Sequence, residues 1–412
     1  MLDLVMNEVS ASGASRQEAP PRAWPGWPVF PEDERQAVMA VLESGKVNYW
    51  TGTEAREFER EYAEYLGVRH TIALHNGSLA LELALQAFGI TEGEVITTAR
   101  TFIASASAAV MRGCVPVIAD VDPVSQVITA ETIRPLINDK TRAIIAVHLA
   151  GWPCDMDSIM ELAREHDLIV IEDCAQAHGA FYKGRPVGSI GHAGAFSFCQ
   201  DKILTTGGEG GLLAFNDELA GEDIWKKAWA FKDHGKSYDA VYHRDHPPGF
   251  RWLHESFGTN WRMLEMQAAI GRLQLRKLPG WIEQRRANAA VLNRRLGEFA
   301  SIRLTLPPAE ILHSYYKYYA FVQPERLKEG WDRDRVMNTI AAQGVPAFSG
   351  SCSEIYLEKA FQDAGYGPKE RLPVARELGE TSLMFLVHPT LSGADMEAMA
   401  DVICSVLKEA TR

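Results

Sequence analysis

The sequence predicts an α/β protein on a largely parallel sheet, and three observations predict it. Seven short, apolar, β-rich runs fall between residues 70 and 215, separated by helix-length segments. Most of these runs are apolar without polar alternation, as strands covered on both faces are. After Met263 the alternation stops and a long helical texture takes over. Strands alternating with helices argue for parallel pairing, since a parallel return needs a crossover segment.

Residues 1–24 are polar, small and without periodicity, and are expected to form a mobile tail. Between Pro31 and Leu66, Ala37, Val38, Val41 and Leu42 recur at helical spacing, and Phe58, Tyr62 and Tyr65 do so after a break. The expected strands are His70–Leu74, Glu94–Thr98, Val115–Val121, Ala143–Leu149, Leu168–Glu172, Gly194–Phe198 and Gly211–Phe215. With the helical lead-in they make one large domain over 25–280. The stretch from Met263 to Phe299 reads as helix with a break at Pro279-Gly280. A strand-like Tyr315–Gln323 and two more helical stretches complete a smaller α+β domain over 281–412.

Composition narrows the function classes. The chain has 412 residues, 46% hydrophobic and 23% charged, the balance of a globular protein. Its 54 acidic against 42 basic residues leave a net charge of −12. Sequence-independent nucleic-acid binding needs clustered Lys and Arg, so no nucleic-acid partner is expected. No apolar run reaches 18 residues and the N-terminus has no signal-peptide core, so no membrane partner is expected. Six cysteines without a C-x-x-C pair read as reduced thiols of a cytoplasmic protein.

Four features sit at strand ends, where open α/β sheets place their ligands. His75-Asn76-Gly77-Ser78 joins a strand to an apolar helix, with Ser78 as the expected N-cap and helical N–H groups suited to a phosphate. An ordinary capped helix is the alternative. Asp173 ends the run LIVIED, where a carboxylate needs a cation, a metal or water, and Gln176 follows three residues later. Ser197 and Lys202 lie in AFSFCQDKILTTGGEGG; the lysine is either a solvated loop residue or an amine suited to Schiff-base chemistry. The glycines match neither a P-loop nor a dinucleotide fingerprint. Asn260, in GTNWRM, has no local mark beyond a helix-capping role.

Together these features suit pyridoxal 5'-phosphate (PLP). Its phosphate wants helix N–H groups and hydroxyls, its pyridine nitrogen a carboxylate, and its aldehyde a lysine amine. The chain closely resembles the DegT/DnrJ/EryC1/StrS family of sugar aminotransferases, of the aspartate-aminotransferase-like fold type I. The motifs carrying the resemblance include NGSLALELAL, TFIASASA, VHLAGWPCDMD, IEDCAQAHGA, FSFCQDK, GGEGG, KDHG and GTNWRMLEMQAAIG, from about Trp27 to Leu407.

The resemblance implies that Lys202 bonds the cofactor aldehyde, Asp173 faces the pyridine nitrogen and Gln176 contacts the ring hydroxyl. It implies that Gly77, Ser78, the Leu79 backbone and Ser197 hold the phosphate, and that Phe102 stacks on the ring. It further implies a homodimer, with Asn260 reaching the phosphate of the neighbouring subunit. The turn TTGGEGG is one glycine longer than the family's TTGEGG, and NWR stands where NYR or NFR is commoner.

The activity implied is transfer of an amino group, from glutamate by resemblance, to a keto sugar that is expected to be nucleotide-linked, in surface-polysaccharide or natural-product biosynthesis. A free cyclitol or other ketone is an alternative acceptor. Keto-sugar dehydration is a second alternative, opposed by Lys202, because that branch carries His there. A non-catalytic regulator is a third, opposed by retention of Lys202, Asp173, Gln176 and Ser197. His148, His178 and His234 are further candidates for substrate contact. The Asp120/Asp122 and Asp155/Asp157 pairs lack a converging metal-ligand set. Trp225, Trp229 and Phe231 read as core, and Arg285-Arg286 to Arg294-Arg295 as a solvated helix face.

Overall fold

The computed structural model describes residues 23–412. The expected tail lies outside the described residues apart from Ala23 and Trp24, whose indole N–H donates to the Gly344 carbonyl at 2.6 Å. Two helices open the fold, α1 (Glu32–Ser44) and α2 (Glu54–Leu66). Then come β1 (His70–Leu74), α3 (Gly77–Ala87), β2 (Glu94–Thr98), α4 (Ala104–Met111), β3 (Val115–Ala119) and the single turn α5 (Ala130–Ile133). β4 (Thr141–Val147), α6 (Met156–Glu165), β5 (Ile169–Asp173), a ribbon of β6 (Phe181–Tyr182) and β7 (Arg185–Pro186), β8 (Ala193–Ser197) and β9 (Gly211–Phe215) follow. All seven expected strands are present, displaced at their ends by no more than two residues.

The seven pair in the order β1-β9-β8-β5-β4-β2-β3. β8, β5, β4, β2 and β3 run parallel, and β9 is antiparallel to both neighbours. β9 reverses because only a loop, without a crossover helix, joins it to β8. The missing alternation has its cause here. In β4, Ala143, Ile145 and Val147 pack into the core on one face, while Ile144 and Ala146 pack into the core on the other. Both faces are dry from Ala143 to Val147, so those five positions are all apolar.

Beyond β9 lie α7 (Gly221–Phe231), α8 (Tyr238–Tyr242) and α9 (Glu265–Leu296), which is 32 residues long. α9 continues unbroken through Pro279-Gly280, where the sequence predicts a break. Proline removes one backbone hydrogen bond and costs about 3 kcal/mol in a helix interior. Leu275, Leu278 and Ile282, all buried around it, offset that cost.

The remaining elements are β10 (Ile302–Leu304), β11 (Ile311–Leu312), β12 (Tyr318–Val322), α10 (Arg333–Ala342), β13 (Ala347–Phe348), α11 (Lys359–Ala364), α12 (Pro373–Thr381), β14 (Ser382–Phe385) and α13 (Gly393–Ala410). The sequence predicts β12 and two helical stretches; the structure has four helices. β10, β12, β14 and β13 form an antiparallel sheet, and β11 joins β6 and β7. Two-residue strands are too short to leave a period in sequence. Among the described residues no helix is long and apolar enough to cross a membrane.

Candidate active site

The C-terminal ends of β1, β2, β5 and β8 face one region. After β1, Asn76 is extended (φ −159°, ψ 171°) and its Oδ1 accepts the Leu79 N–H at 3.0 Å. Asn76 is therefore the N-cap, and Ser78, expected in that role, occupies the second helical position with its side chain exposed. The helix starts early because Gly77 packs flush on β8: a Cβ on Gly77 would lie 2.5 Å from the Ser197 Cβ. Gly211, at the start of β9, is as tightly set, and a Cβ there would lie 2.2 Å from the Asn76 carbonyl oxygen. Capping uses the Leu79 amide, one of the groups expected to hold phosphate. The Gly77 and Ser78 amides have no intrahelical acceptor and sit at the positive end of the helix dipole beside Ser197.

Asp173 closes β5, 6% exposed. Its Oδ2 accepts the Ser105 hydroxyl at 2.7 Å and its Oδ1 accepts the Ala175 N–H at 3.1 Å. Among the described residues it has no cationic partner, which an inward carboxylate at a strand end ordinarily needs. Ser105, which sequence reasoning missed, lies one turn after Phe102, whose ring is 56% exposed and so has a face free for stacking. Gln176 Oε1 accepts the Ala150 N–H at 2.8 Å. Ala150 is in the left-handed region at φ 56°, and its carbonyl accepts the Tyr316 N–H at 2.9 Å.

That link brings in Tyr316, for which the sequence offers no local signal. The Tyr316 hydroxyl donates to Asp201, and the Lys202 Nζ lies 5.1 Å from the centre of the Tyr316 ring. The Trp27 indole N–H donates to the Lys202 carbonyl at 2.9 Å, holding the loop after β8. Burial raises the Asp201 carboxyl, but Lys202, the Tyr316 hydroxyl and Lys317 outweigh it and hold the group below its ordinary value. Gly77 thus meets Ser197, Gln176 is tied through Ala150 and Tyr316 to Lys202, and Asp173 ends the strand that pairs with β8. Asn260 is exposed, its backbone pairing with Asp233. The next residue, Trp261, accepts the His75 N–H at 3.1 Å.

Two of the three candidate histidines are fully used by other partners. His148 accepts the Cys154 N–H at Nδ1 (3.0 Å) and meets Glu172 through Nε2 (2.9 Å), so neither nitrogen is left for a substrate. The Glu172 carboxylate also accepts the amides of Gly188, Ile190 and Gly191, which fills the His148–Glu172–Cys174 cluster without a metal. Burial drives His178 down to about 3, so its neutral ring donates to the Ser197 carbonyl at 2.8 Å and accepts from Tyr62 at 2.9 Å. His234 is exposed, at φ 57°. Trp225 and Trp229 are buried, as expected.

The basic face of α9 needs correcting. Arg294 and Arg295 do lie outside, paired with Glu397 and Asp401. Arg285 is 1% exposed, because it shares the inward stripe of Ile282, Ala289, Leu292 and Leu296. Its Nη1 donates to the carbonyls of Tyr315 (3.4 Å) and Tyr316 (3.2 Å), and its guanidinium lies 5.3 Å from the centre of the Trp27 ring.

An anion-binding helix start at Gly77 beside Ser197, a buried carboxylate lacking a cation, and a lysine amine fit the three polar groups of PLP. The model of the DegT/DnrJ/EryC1/StrS aminotransferase family matches residues 29–404. A solved aminotransferase structure from Psychrobacter cryohalolentis is 54% identical, with a TM-score of 0.90, covering 95% of this chain and 99% of its own. A GDP-perosamine synthase from Caulobacter vibrioides is 35% identical over 409 residues, covering 94% of this chain and 99% of its own. An L-glutamine:2-deoxy-scyllo-inosose aminotransferase from Streptomyces fradiae is 33% identical over 412 residues, 94% of each chain.

Proposed function

Because the chain belongs to the DegT/DnrJ/EryC1/StrS aminotransferase family, we propose that it uses PLP to move an amino group from an amino acid, L-glutamate by preference, to a nucleotide-linked keto sugar. The observation that carries this reading is Asp173, a buried carboxylate with two hydrogen bonds and, among the described residues, no cation, at the end of the strand next to β8, which carries Ser197 against Gly77.

When bound, PLP supplies an electron sink for negative charge developing at the donor's α-carbon. The residues of this chain do the rest. Asp173 faces the pyridine nitrogen and favours its protonated form, with Ser105 and the Ala175 amide fixing the carboxylate's orientation. Gly77, Ser78 and Ser197 hold the phosphate, Phe102 covers one ring face and Gln176 meets the ring hydroxyl. Lys202 would anchor the aldehyde, and its free Nζ would take the α-proton as general base and give it back as general acid.

Asn260 serves the partner subunit's site in a homodimer. Support comes from its surroundings, where Phe250 (75%), Trp252 (80%) and Phe257 (99%) are exposed on the same stretch, a concentration of aromatic surface that marks interfaces. The six cysteines are unpaired, in keeping with a cytoplasmic enzyme.

A free cyclitol is the second acceptor reading, favoured by the likeness to the inosose aminotransferase from Streptomyces fradiae. Purified enzyme should be assayed on nucleotide-linked 3-keto and 4-keto sugars and on inososes, with glutamate and glutamine as donors. Turnover of a nucleotide-linked sugar is expected. Turnover of inososes alone would move the assignment to cyclitols, and a chain that takes up no PLP would sink it.

A further inference from the structure

The segment that enters β12 is pinned to the loop after β4. The Ser314 N–H donates to Gly151 at 3.1 Å and the Tyr316 N–H to Ala150 at 2.9 Å, with Tyr315 held at φ 46°. Tyr316 and Lys317 are thereby fixed beside Lys202. The Lys202 Nζ is 5.1 Å from the centre of the Tyr316 ring and the Lys317 Nζ 4.7 Å from the same centre. Both lysine amines lie against one aromatic ring.

The charges there do not balance. Lys202, Lys317 and Arg285 face one carboxylate, Asp201, whose Oδ2 lies 4.0 Å from the Lys317 Nζ. Asp201 also accepts the Tyr316 hydroxyl. Among the described residues, the buried Nε and Nη2 of Arg285 have no hydrogen-bond partner. Surplus positive charge in a low-dielectric setting is costly until an anion meets it. The Lys317 side chain is 14% exposed, so it is not sealed from solvent.

We propose that Lys317 is the anchor for a carboxylate of the amino donor, with Arg285 as a buried charge that keeps the anchor's surroundings positive. The inference rests on the aminotransferase reading and deepens it. A short amino acid carries its carboxylates within a few bonds of the amine that must reach Lys202, and Lys317 packs on the same tyrosine ring as that lysine. A sugar-linked phosphate would be held off by the width of its sugar. Lys317 acts by binding; Lys202 does the proton transfer.

Burial, with Arg285 and Lys202 adding to it against Asp201, brings the Lys317 amine down to about 8. The groups facing it are Asp201, Lys202, Arg285, Tyr316 and His388, the last driven to about 3 by burial and so neutral. Carboxylate binding should therefore weaken as pH rises through about 8.

The test is calorimetric binding of glutarate, a dicarboxylate without an amine, to the holoenzyme. Lys317→Met should weaken glutarate by about tenfold or more, the loss of a charge-assisted hydrogen bond. Lys317→Arg should retain most of the affinity, and Lys317→Gln replaces the Met variant if that fails to fold. The uncharged diamide of glutarate should bind the wild type as weakly as glutarate binds Lys317→Met. Equal glutarate affinity in wild type and Lys317→Met, or no glutarate binding by the wild type, overturns the anchor. So does a Lys317 dependence of pyrophosphate binding with none for glutarate. None of these results touches the aminotransferase reading, which fails separately if the wild type takes up no PLP.

Discussion

Asp173 and Lys202 divide the chemistry at the scale of single residues. Asp173→Asn keeps the side chain's shape and one of its two acceptor oxygens while removing the charge. PLP should still bind, giving a visible band, but turnover in single-turnover assays should fall by orders of magnitude, because a neutral partner no longer favours the protonated ring. Near-normal rates in Asp173→Asn would mean that another group faces the nitrogen. For Lys202, borohydride should bleach the visible band and fix the cofactor's mass to the peptide carrying this residue. Lys202→Ala should show neither the fixed mass nor turnover, since both the anchor and the proton carrier are gone. A fixed mass on any other lysine would reassign the site.

Secondary-structure elements meet at this site only because glycine stands where they touch. Gly211 puts β9 against the turn that starts α3, and an added Cβ would meet backbone atoms of Asn76 that cannot rotate away. Gly211→Ala should cost about 1–3 kcal/mol or more and weaken PLP binding, read as melting temperature with and without the cofactor. Gly280 is the control. It lies inside α9, exposed, with nothing within 4 Å of the place a Cβ would take. Gly280→Ala should raise stability by about 0.5–1 kcal/mol and leave PLP affinity alone. If both variants behave alike, close packing at Gly211 is not what holds the site.

At the scale of the whole molecule, the proposed homodimer makes a prediction that no single chain can meet. If Asn260 serves the partner subunit's site, each active site combines Lys202 of one chain with Asn260 of the other. Lys202→Ala homodimers and homodimers with Asn260→Trp should each be nearly inactive. In a mixed dimer one site receives both lesions and the other neither, so mixing should restore activity at up to about half of the sites. Confirmed subunit exchange without recovered activity would place Asn260 in its own chain's site, beside the contact that Trp261 already makes with His75.

The amino-acid sequence by itself determined the elements whose cause is local. The apolar runs became the seven strands, because a strand dry on both faces must be apolar at every position. Asp173, Gln176, Ser197 and Lys202 were legible because they lie at strand ends in short motifs. Tertiary structure decided what depends on distant partners. Ser78 is a good capping residue in isolation, yet the fit of Gly77 on Ser197 gives the cap to Asn76. Arg285 belongs to a basic run, yet the inward stripe of α9 buries it. α9 tolerates Pro279 because packed leucines outweigh one lost hydrogen bond. Tyr316 meets Asp201 across 115 residues of sequence, and Lys317 reaches the same carboxylate beside it. Such contacts leave no period or motif in the chain, because their energy comes from groups brought together only when the fold closes.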